Sequence, residues 1–268
     1  MMDLFSLKNK IAIVTGALGL IGKEHCRAMS EAGANVIVAD IDKNKCELFA
    51  KTLPEESVGI SLDVTNPDSV KRLRDFVLSR FGYIDILVNN AAINDMFENP
   101  KAASEQSKFE NYPLELWQKI IDVNLTGVFL CSQILGAEMA KQRSGSIINV
   151  ASTYGISAPD QSLYIKEDGS QSFYKPPAYS ATKGAVIMFS RYLAAYWGKD
   201  GVRVNTLTPG GVENSQDDFF IQKYSAKTIL GRMAKPTDYK GALVFLACEA
   251  SAYMTGANLI VDGGWTAW

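Results

Sequence analysis

Thr15-Gly16-Ala17-Leu18-Gly19-Leu20-Ile21-Gly22 lies between a short β-branched run, 10–15, and an apolar helical pattern, 21–32. Strand, glycine turn and helix in this order decide the fold. Glycines in such a turn let the backbone bend tightly and approach a pyrophosphate, while the helix that follows offers free N–H donors and a favourable dipole to the phosphates. A second apolar run, 35–39, ends at Asp40, 18 residues past Gly22, with Asp42 close behind. A carboxylate at that point accepts hydrogen bonds from both ribose hydroxyls of NAD and repels the 2′-phosphate of NADP. No arginine follows it directly, so NAD(H) is the expected dinucleotide and NADP(H) the less favoured one.

The alternation continues outward from this unit. Helical patterns at 43–52, 68–81, 114–142, 178–197 and 237–248 alternate with strand-like runs at 58–62, 85–89, 146–151, 202–208 and 258–261. Continuous apolar strands such as Ile147-Ile148-Asn149-Val150-Ala151, alternating with helices, indicate a parallel sheet covered on both faces. The expected fold class is therefore α/β, a doubly wound parallel sheet of Rossmann type, in a single domain spanning 1–268.

Composition removes several function classes. A net charge of -2 without any basic block gives no electrostatic footprint for nucleic acid. The N-terminus has no long apolar segment, and no apolar run approaches the ~20 residues that span a bilayer. Cys26, Cys46, Cys131 and Cys248 are scattered without C-x-x-C spacing, as in a reduced, cytoplasmic protein rather than a disulfide framework. His25 is the only histidine, which argues against a His-rich metal centre; its expected role is structural.

Near the start of the 178–197 helical pattern stand Tyr179 and Lys183. Four-residue spacing puts both side chains on one face of a helix, within reach of a common ligand. An ammonium near a phenol favours phenolate and lowers the tyrosine pKa from about 10, so Tyr179 is expected to exchange a proton with a substrate oxygen. Ser152, at the C-terminal end of an apolar strand, lies on the sheet edge where ligands bind in open α/β folds. Asn124 interrupts the apolar pattern Ile120, Ile121, Val123, Leu125, Val128 and would be a buried amide in need of partners.

With these motifs in order, joined by Leu62-Asp63-Val64, Asn89-Asn90-Ala91-Ala92, Asn149-Val150-Ala151-Ser152 and Pro209-Gly210, the chain resembles the short-chain dehydrogenase/reductase family over nearly its whole length. The resemblance implies a cofactor groove built from Gly16, Gly19, Leu20, Ile21, Asp40, Asp63, Val64, Asn90, Ala91, Pro209, Gly210 and Val212, with Asp63 and Val64 at the adenine. It implies Tyr179 as acid/base and Ser152 as partner of the reacting oxygen. Lys183 would hold the nicotinamide ribose, and Asn124 would support a water-linked proton relay. It also implies a homodimer or homotetramer formed through the 178–197 helix, whose apolar residues cover several faces, and a terminal run, 262–268, at a subunit interface or a neighbouring active site.

The chain departs from the family pattern at four places. Leu20 stands where the commoner T-G-x-x-x-G-x-G spacing has glycine, a G-x-x-G-x-x-G pattern more typical of extended members that include sugar epimerases and dehydratases. Only 58 residues follow Gly210, too few for the separate substrate lobe of those enzymes. Ala92 replaces a glycine, and Asn214 replaces a threonine after Pro-Gly, leaving an amide for the nicotinamide carboxamide. The fourth departure is length: Ser152 and Tyr179 are 27 positions apart, about twice what the family usually needs.

The extra segment, 159–177, carries Asp160, Gln161, Tyr164, Lys166, Glu167, Asp168, Gln171, Tyr174 and Lys175. Tied at both ends to catalytic positions, it is expected to stand over the substrate, and its polar and aromatic content suits hydroxyl-rich or phosphorylated ligands. A second polar stretch, 94–112, is expected to do the same, and 215–230 to be the mobile loop that closes on substrate. The runs Lys175-Pro176-Pro177-Ala178-Tyr179, Gly210-Gly211-Val212 and Met254-Thr255-Gly256-Ala257-Asn258 resemble bacterial members associated with surface-sugar and legionaminic or sialic acid type pathways. The expectation is an NAD(H)-dependent oxidoreductase interconverting a secondary alcohol and a ketone on a sugar or related small molecule. An epimerase or dehydratase that retains NAD, or a non-catalytic nucleotide sensor, is the alternative.

Overall fold

The computed structural model describes residues 2–54, 56–94 and 100–268. Its sheet has seven parallel strands: β1 (Ile11–Thr15), β2 (Asn35–Asp40), β3 (Val58–Ser61), β4 (Ile86–Asn89), β5 (Gly145–Val150), β6 (Val202–Pro209) and β7 (Asn258–Val261). They lie in the order β3-β2-β1-β4-β5-β6-β7. The order reverses between β1 and β4, which opens a crevice at the carboxyl ends of these strands. Flanking helices are α1 (Leu20–Glu31), α2 (Lys43–Ala50), α3 (Pro67–Phe81), α4 (Pro100–Gln106), α5 (Leu114–Gln142), α6 (Pro177–Trp197), α7 (Asp218–Ala226) and α8 (Lys240–Ala247).

Strand side chains alternate between faces, and both faces of this sheet are apolar. Ala12 and Val14 of β1 join Cys26, Met29 and Leu243 in one core, while Ile11 and Ile13 join Leu73, Leu135 and Leu193 in the other. Caps fix the helix starts. Asp42 accepts from the Lys45 N–H at 3.0 Å and Asn66 from the Asp68 N–H at 2.9 Å, and Pro67 follows at the first helical position, where its missing N–H costs nothing. Gly82 ends α3 in the left-handed region.

Most elements fall within two residues of their expected bounds, and the exceptions have physical causes. The 237–248 pattern begins as a 3-10 turn, Pro236–Tyr239, and becomes α-helical only at Lys240. Tyr239 is buried there and donates to the Gly210 carbonyl at 3.0 Å. The loop expected at 215–230 contains α7, capped by Asp217, which accepts from the Phe220 N–H at 2.9 Å. Helix α5 contains two π turns, Asp122–Thr126 and Ser132–Gly136.

By length and composition α5 would also suffice to cross a bilayer, which the sequence reading missed. Here it is a core helix, with Cys131, Leu135 and Met139 fully buried.

Residues 159–177 fold back on themselves through a 3-10 turn, Gln161–Tyr164, and an antiparallel bridge between Ile165 and Gln171. Gln161 holds the far end, accepting from the Lys175 N–H at 2.7 Å and donating to the Lys175 carbonyl at 3.2 Å. The segment packs on α7 and the C-terminal run, with Leu163, Tyr164 and Phe173 clustered with Phe220 and Tyr224 of α7 and with Trp265. Lys223 donates to the carbonyls of Ser162 and Ile165, and Lys227 pairs with Asp160. Of the 94–112 stretch, 95–99 lies outside the described residues; its described part includes α4 and a buried Ser107, which accepts from the Tyr174 N–H at 2.7 Å.

Candidate active site

One cavity of about 590 Å³ follows the carboxyl edge of the sheet from Asp40 to Tyr224. At one end is the glycine turn. Gly16 has φ +60°, and a Cβ there would sit 2.6 Å from the Ala91 Cα; a Cβ on Gly22 would sit 2.2 Å from the Gly16 carbonyl oxygen. Both positions therefore require glycine. Asn90 locks the turn by donating to the Thr15 and Gly16 carbonyls at 3.0 and 2.9 Å, and Thr15 Oγ1 accepts from the Asn90 and Ala91 N–H groups. Leu20, in the position that departs from the family pattern, is half-exposed and lines the cavity beside Ile21.

Asp40 leaves β2 with its carboxylate fixed by two backbone donors, Leu18 N–H at 2.9 Å and Ile41 N–H at 2.8 Å. It lines the cavity, as do Asp63 and Val64; Asp63 accepts from the Thr65 N–H and hydroxyl at 2.9 and 2.7 Å. Among the described lining residues this end holds no cation, since both lysines of the cavity, Lys175 and Lys183, stand at the other end. The cradle fits a dinucleotide: side-chain-free backbone at Gly16 and Gly22, the N-terminus of a 12-residue helix, and a fixed carboxylate beyond it.

At the other end stand Ser152, Tyr179 and Lys183. Ser152 leaves β5 and Tyr179 enters α6, and these elements are held in register by a buried chain of amides. Asn89 donates to Ser132 and Asn149, and Asn149 donates to Ser190 of α6, at 2.8 to 3.1 Å. Lys183 is almost wholly buried and donates to the Val150 carbonyl at 2.7 Å. Burial pulls its ammonium down to about 8.

The phenol of Tyr179 does not behave as its spacing from Lys183 suggested. Burial pushes its pKa up, and only a side-chain hydrogen bond with Ser152 works against that. The reason is geometric: the Lys183 ammonium is turned toward Val150, 5.8 Å from the centre of the Tyr179 ring, while Lys175 of the insertion lies closer, at 4.9 Å.

Asn124 is a buried amide with both sides satisfied. It sits on the first π turn of α5, accepts from the Ile93 N–H at 2.8 Å and donates to the Ile93 carbonyl at 2.9 Å. Its side chain thus positions the chain after β4, and the neighbouring Val123 lines the cavity. Asn214 is exposed and outside the cavity, its N–H bonded to Gln216 Oε1 at 2.6 Å. The amide that this loop brings to the cavity wall is Gln216, which sequence reading missed for want of any fixed spacing there. Pro209, Gly210 and Val212 line the same wall.

Of the polar residues of the insertion, only Tyr164 and Lys175 reach the cavity. Gln161 and Gln171 are spent on backbone groups inside it. Tyr154 was also missed, although its place two residues after Ser152 was a usable signal. Trp265 stacks on Tyr224 with ring centres 4.2 Å apart. Trp268 is 79% exposed in the single chain.

Residues 16–266 match the family model described as Enoyl-(Acyl carrier protein) reductase. The chain is 34% identical over 258 residues to a 3-alpha-(or 20-beta)-hydroxysteroid dehydrogenase of Mycobacterium tuberculosis, covering 96% of this chain and 90% of that one. It is 32% identical over 275 residues to a 2-dehydro-3-deoxy-D-gluconate 5-dehydrogenase of Pseudoalteromonas atlantica, covering 99% of each. Among solved structures, a gluconate 5-dehydrogenase from Burkholderia cenocepacia, in complex with NADP and tartrate, superposes with a TM-score of 0.85 at 29% identity, over 100% of this chain and 99% of that one. With the glycine turn, the Ser152, Tyr179 and Lys183 cluster and these relatives in agreement, the chain belongs to the short-chain dehydrogenase/reductase family.

Proposed function

We propose that the protein is a cytoplasmic NAD(H)-dependent oxidoreductase that interconverts a secondary alcohol and a ketone on a sugar, sugar phosphate or other polyhydroxylated substrate. The observation that carries this reading is the convergence of Ser152, Tyr179 and Lys183 on one end of a cavity whose other end is a dinucleotide cradle. Tyr179 holds the proton exchanged with the substrate oxygen, and Ser152 orients that oxygen. Lys183 fixes the ribose next to the nicotinamide, and Asn124 positions the wall opposite. The bound nicotinamide supplies or accepts the hydride. The sugar and polyol reading draws on the gluconate-type relatives and on Tyr164 and Lys175, which the insertion brings to the cavity. A place in surface-sugar pathways rests on the sequence resemblance. Absorbance of reduced nicotinamide across sugars, sugar phosphates, polyols and hydroxy acids, with each cofactor, tests the reading; no hydride transfer to or from any of them would overturn it.

Cofactor choice depends on Asp40. Fixed by Leu18 and Ile41, its carboxylate cannot swing away from a 2′-phosphate, so kcat/KM is expected to favour NAD(H). Asp40→Ala should lose roughly 1.5–3 kcal/mol of that preference, the worth of hydrogen bonds to a charged group. Equal kcat/KM for both cofactors in the unmodified enzyme would reject it.

Self-association through α6 is the proposed quaternary contact. Met188, Tyr192 and Tyr196 are mostly exposed, and Phe189, Tyr192 and Tyr196 stack in a row with centres 6.3 and 6.0 Å apart. An apolar row of this kind is normally covered by a partner. Tyr192→Glu is expected to shift the sedimentation coefficient to that of a smaller species; an unchanged coefficient places the contact elsewhere.

A further inference from the structure

The fold-back of residues 159–177 fixes Tyr164 above all. The Tyr164 carbonyl accepts from both the N–H and the hydroxyl of Ser172, at 2.9 and 2.6 Å, and Lys223 of α7 donates to the carbonyls of Ser162 and Ile165 on either side of it. Its ring is wedged between Phe173 and Phe220, with centres 4.5 and 5.7 Å away. The residue is buried and still lines the cavity. A phenol held this firmly has little freedom left to lose when a ligand engages it.

Tyr154, set by the short turn after Ser152, meets it, the two hydroxyl oxygens 3.2 Å apart. Each phenol has one O–H, and only one of the two can be directed at the other. The second O–H finds no acceptor among the described residues. The other phenols at this end are committed: Tyr224 accepts from the Gly211 N–H at 2.6 Å and bonds the Thr153 side chain, and Tyr179 is the partner of Ser152. Burial pushes Tyr154 and Tyr164 up, Tyr164 to about 12, so the pair is neutral at neutral pH. It offers one donor, with lone pairs on both oxygens. A hydroxyl answers both, accepting from the free O–H and donating to the neighbouring phenol oxygen. An ionised carboxylate can only accept, and leaves that second oxygen facing its charge. Both phenols lie within electrostatic reach of Tyr179, so a hydroxyl bound there is carried close to the reacting carbon. Phe220 and Met233 continue the wall with apolar surface for the carbon chain.

We propose that Tyr154 and Tyr164 form a subsite for a neutral hydroxyl group next to the reacting carbon, so that the preferred substrate is a vicinal diol or the matching α-hydroxy ketone. The assignment rests on the oxidoreductase reading and narrows it from polyhydroxylated compounds in general to those with this pair of neighbouring oxygens. Tyr164, delivered by the insertion, is the specificity-determining residue, and Tyr154 is its partner.

The test uses the full-length enzyme with its nicotinamide cofactor. Butane-2,3-diol and butan-2-ol are compared in oxidation, acetoin and butan-2-one in reduction; each pair differs by one hydroxyl. Threitol and butane-1,4-diol serve as binding probes, titrated calorimetrically into the enzyme with reduced cofactor. The hydroxylated member of each pair is expected to lead in kcat/KM by roughly five- to hundred-fold, the range for leaving a buried donor unpaired. Tyr164→Phe should reduce that ratio, and the double variant Tyr154→Phe, Tyr164→Phe, which keeps both rings, should bring it close to one by loss on the hydroxylated member. Glu167→Gln, on the exposed part of the insertion, should leave the ratio unchanged. Threitol should bind more tightly than butane-1,4-diol, and the double variant should erase the difference. A ratio near one in the unmodified enzyme, a ratio that survives the double variant, or threitol binding no tighter than butane-1,4-diol would overturn the subsite. Failure of hydride transfer with all four substrates would instead count against the oxidoreductase reading, and the threitol titration would still decide the subsite.

Discussion

Tyr179→Phe is expected to fold and bind cofactor normally while turnover falls by a factor on the order of 10² to 10⁴, the usual worth of a positioned acid/base. The substitution removes one oxygen, the partner of Ser152, and leaves a ring that still packs beneath Lys175. Because burial pushes the phenol pKa up, Tyr179 is protonated at neutral pH and poised to give a proton to a carbonyl oxygen. Ketone reduction is therefore expected to hold across neutral pH, and alcohol oxidation to rise with pH as the phenolate forms. Both directions should lose these dependences in the Phe variant. Lys183→Ala, by contrast, should damage cofactor affinity as well as turnover, since its ammonium is fixed between Val150 and the cavity. Steady-state rates in both directions, with cofactor titrations alongside, separate the two. Near-normal turnover in Tyr179→Phe would mean that the proton comes from another group.

How far the residue pattern foretells the molecule depends on whether an interaction is local. Strands such as β5 and β7 are continuous apolar runs ended by turn residues, so their order and edges could be read directly. The glycine turn and the Tyr179–Lys183 spacing are local too, and the cavity brings them together as expected. Properties set by burial were not legible. Spacing showed that Lys183 neighbours Tyr179, but not that its ammonium would face Val150 and leave desolvation to govern the phenol. The partner of Asn124 is Ile93, 31 residues away, and no pattern announces a side chain bonded to a distant backbone. In the insertion, Gln161 and Gln171 look as available for substrate as Tyr164 does; only the fold-back at Ile165 and Gln171 turns the glutamines inward and leaves Tyr164 facing Tyr154.

Acid sensitivity is expected from His25, which lies on α1 wholly buried, with neither ring nitrogen hydrogen-bonded to another described residue. A neutral imidazole tolerates that setting; an imidazolium does not. Burial therefore pulls its pKa from 6.5 to about 4. The unfolded chain binds a proton near 6.5 and the folded one only near 4, so the unfolded state holds more protons across this window. Stability is then fully present above about 6.5, declines as pH falls through the window, and levels off below the folded value. The full effect is roughly 3 kcal/mol, of which about 2 kcal/mol is lost between pH 7 and pH 5. Other shifted groups act elsewhere. Lys183 titrates between about 8 and its usual value of 10.5, and Asp160, held down to about 2 by Lys227 and Ser162, loses its contribution only at lower pH. Urea unfolding at fixed protein concentration, at pH 7 and pH 5, should therefore show a steeper loss in the unmodified protein than in His25→Leu, by about 2 kcal/mol. Parallel losses in the two proteins would show that His25 is protonated without cost, which requires a partner for its ring that the fold does not supply from the described residues.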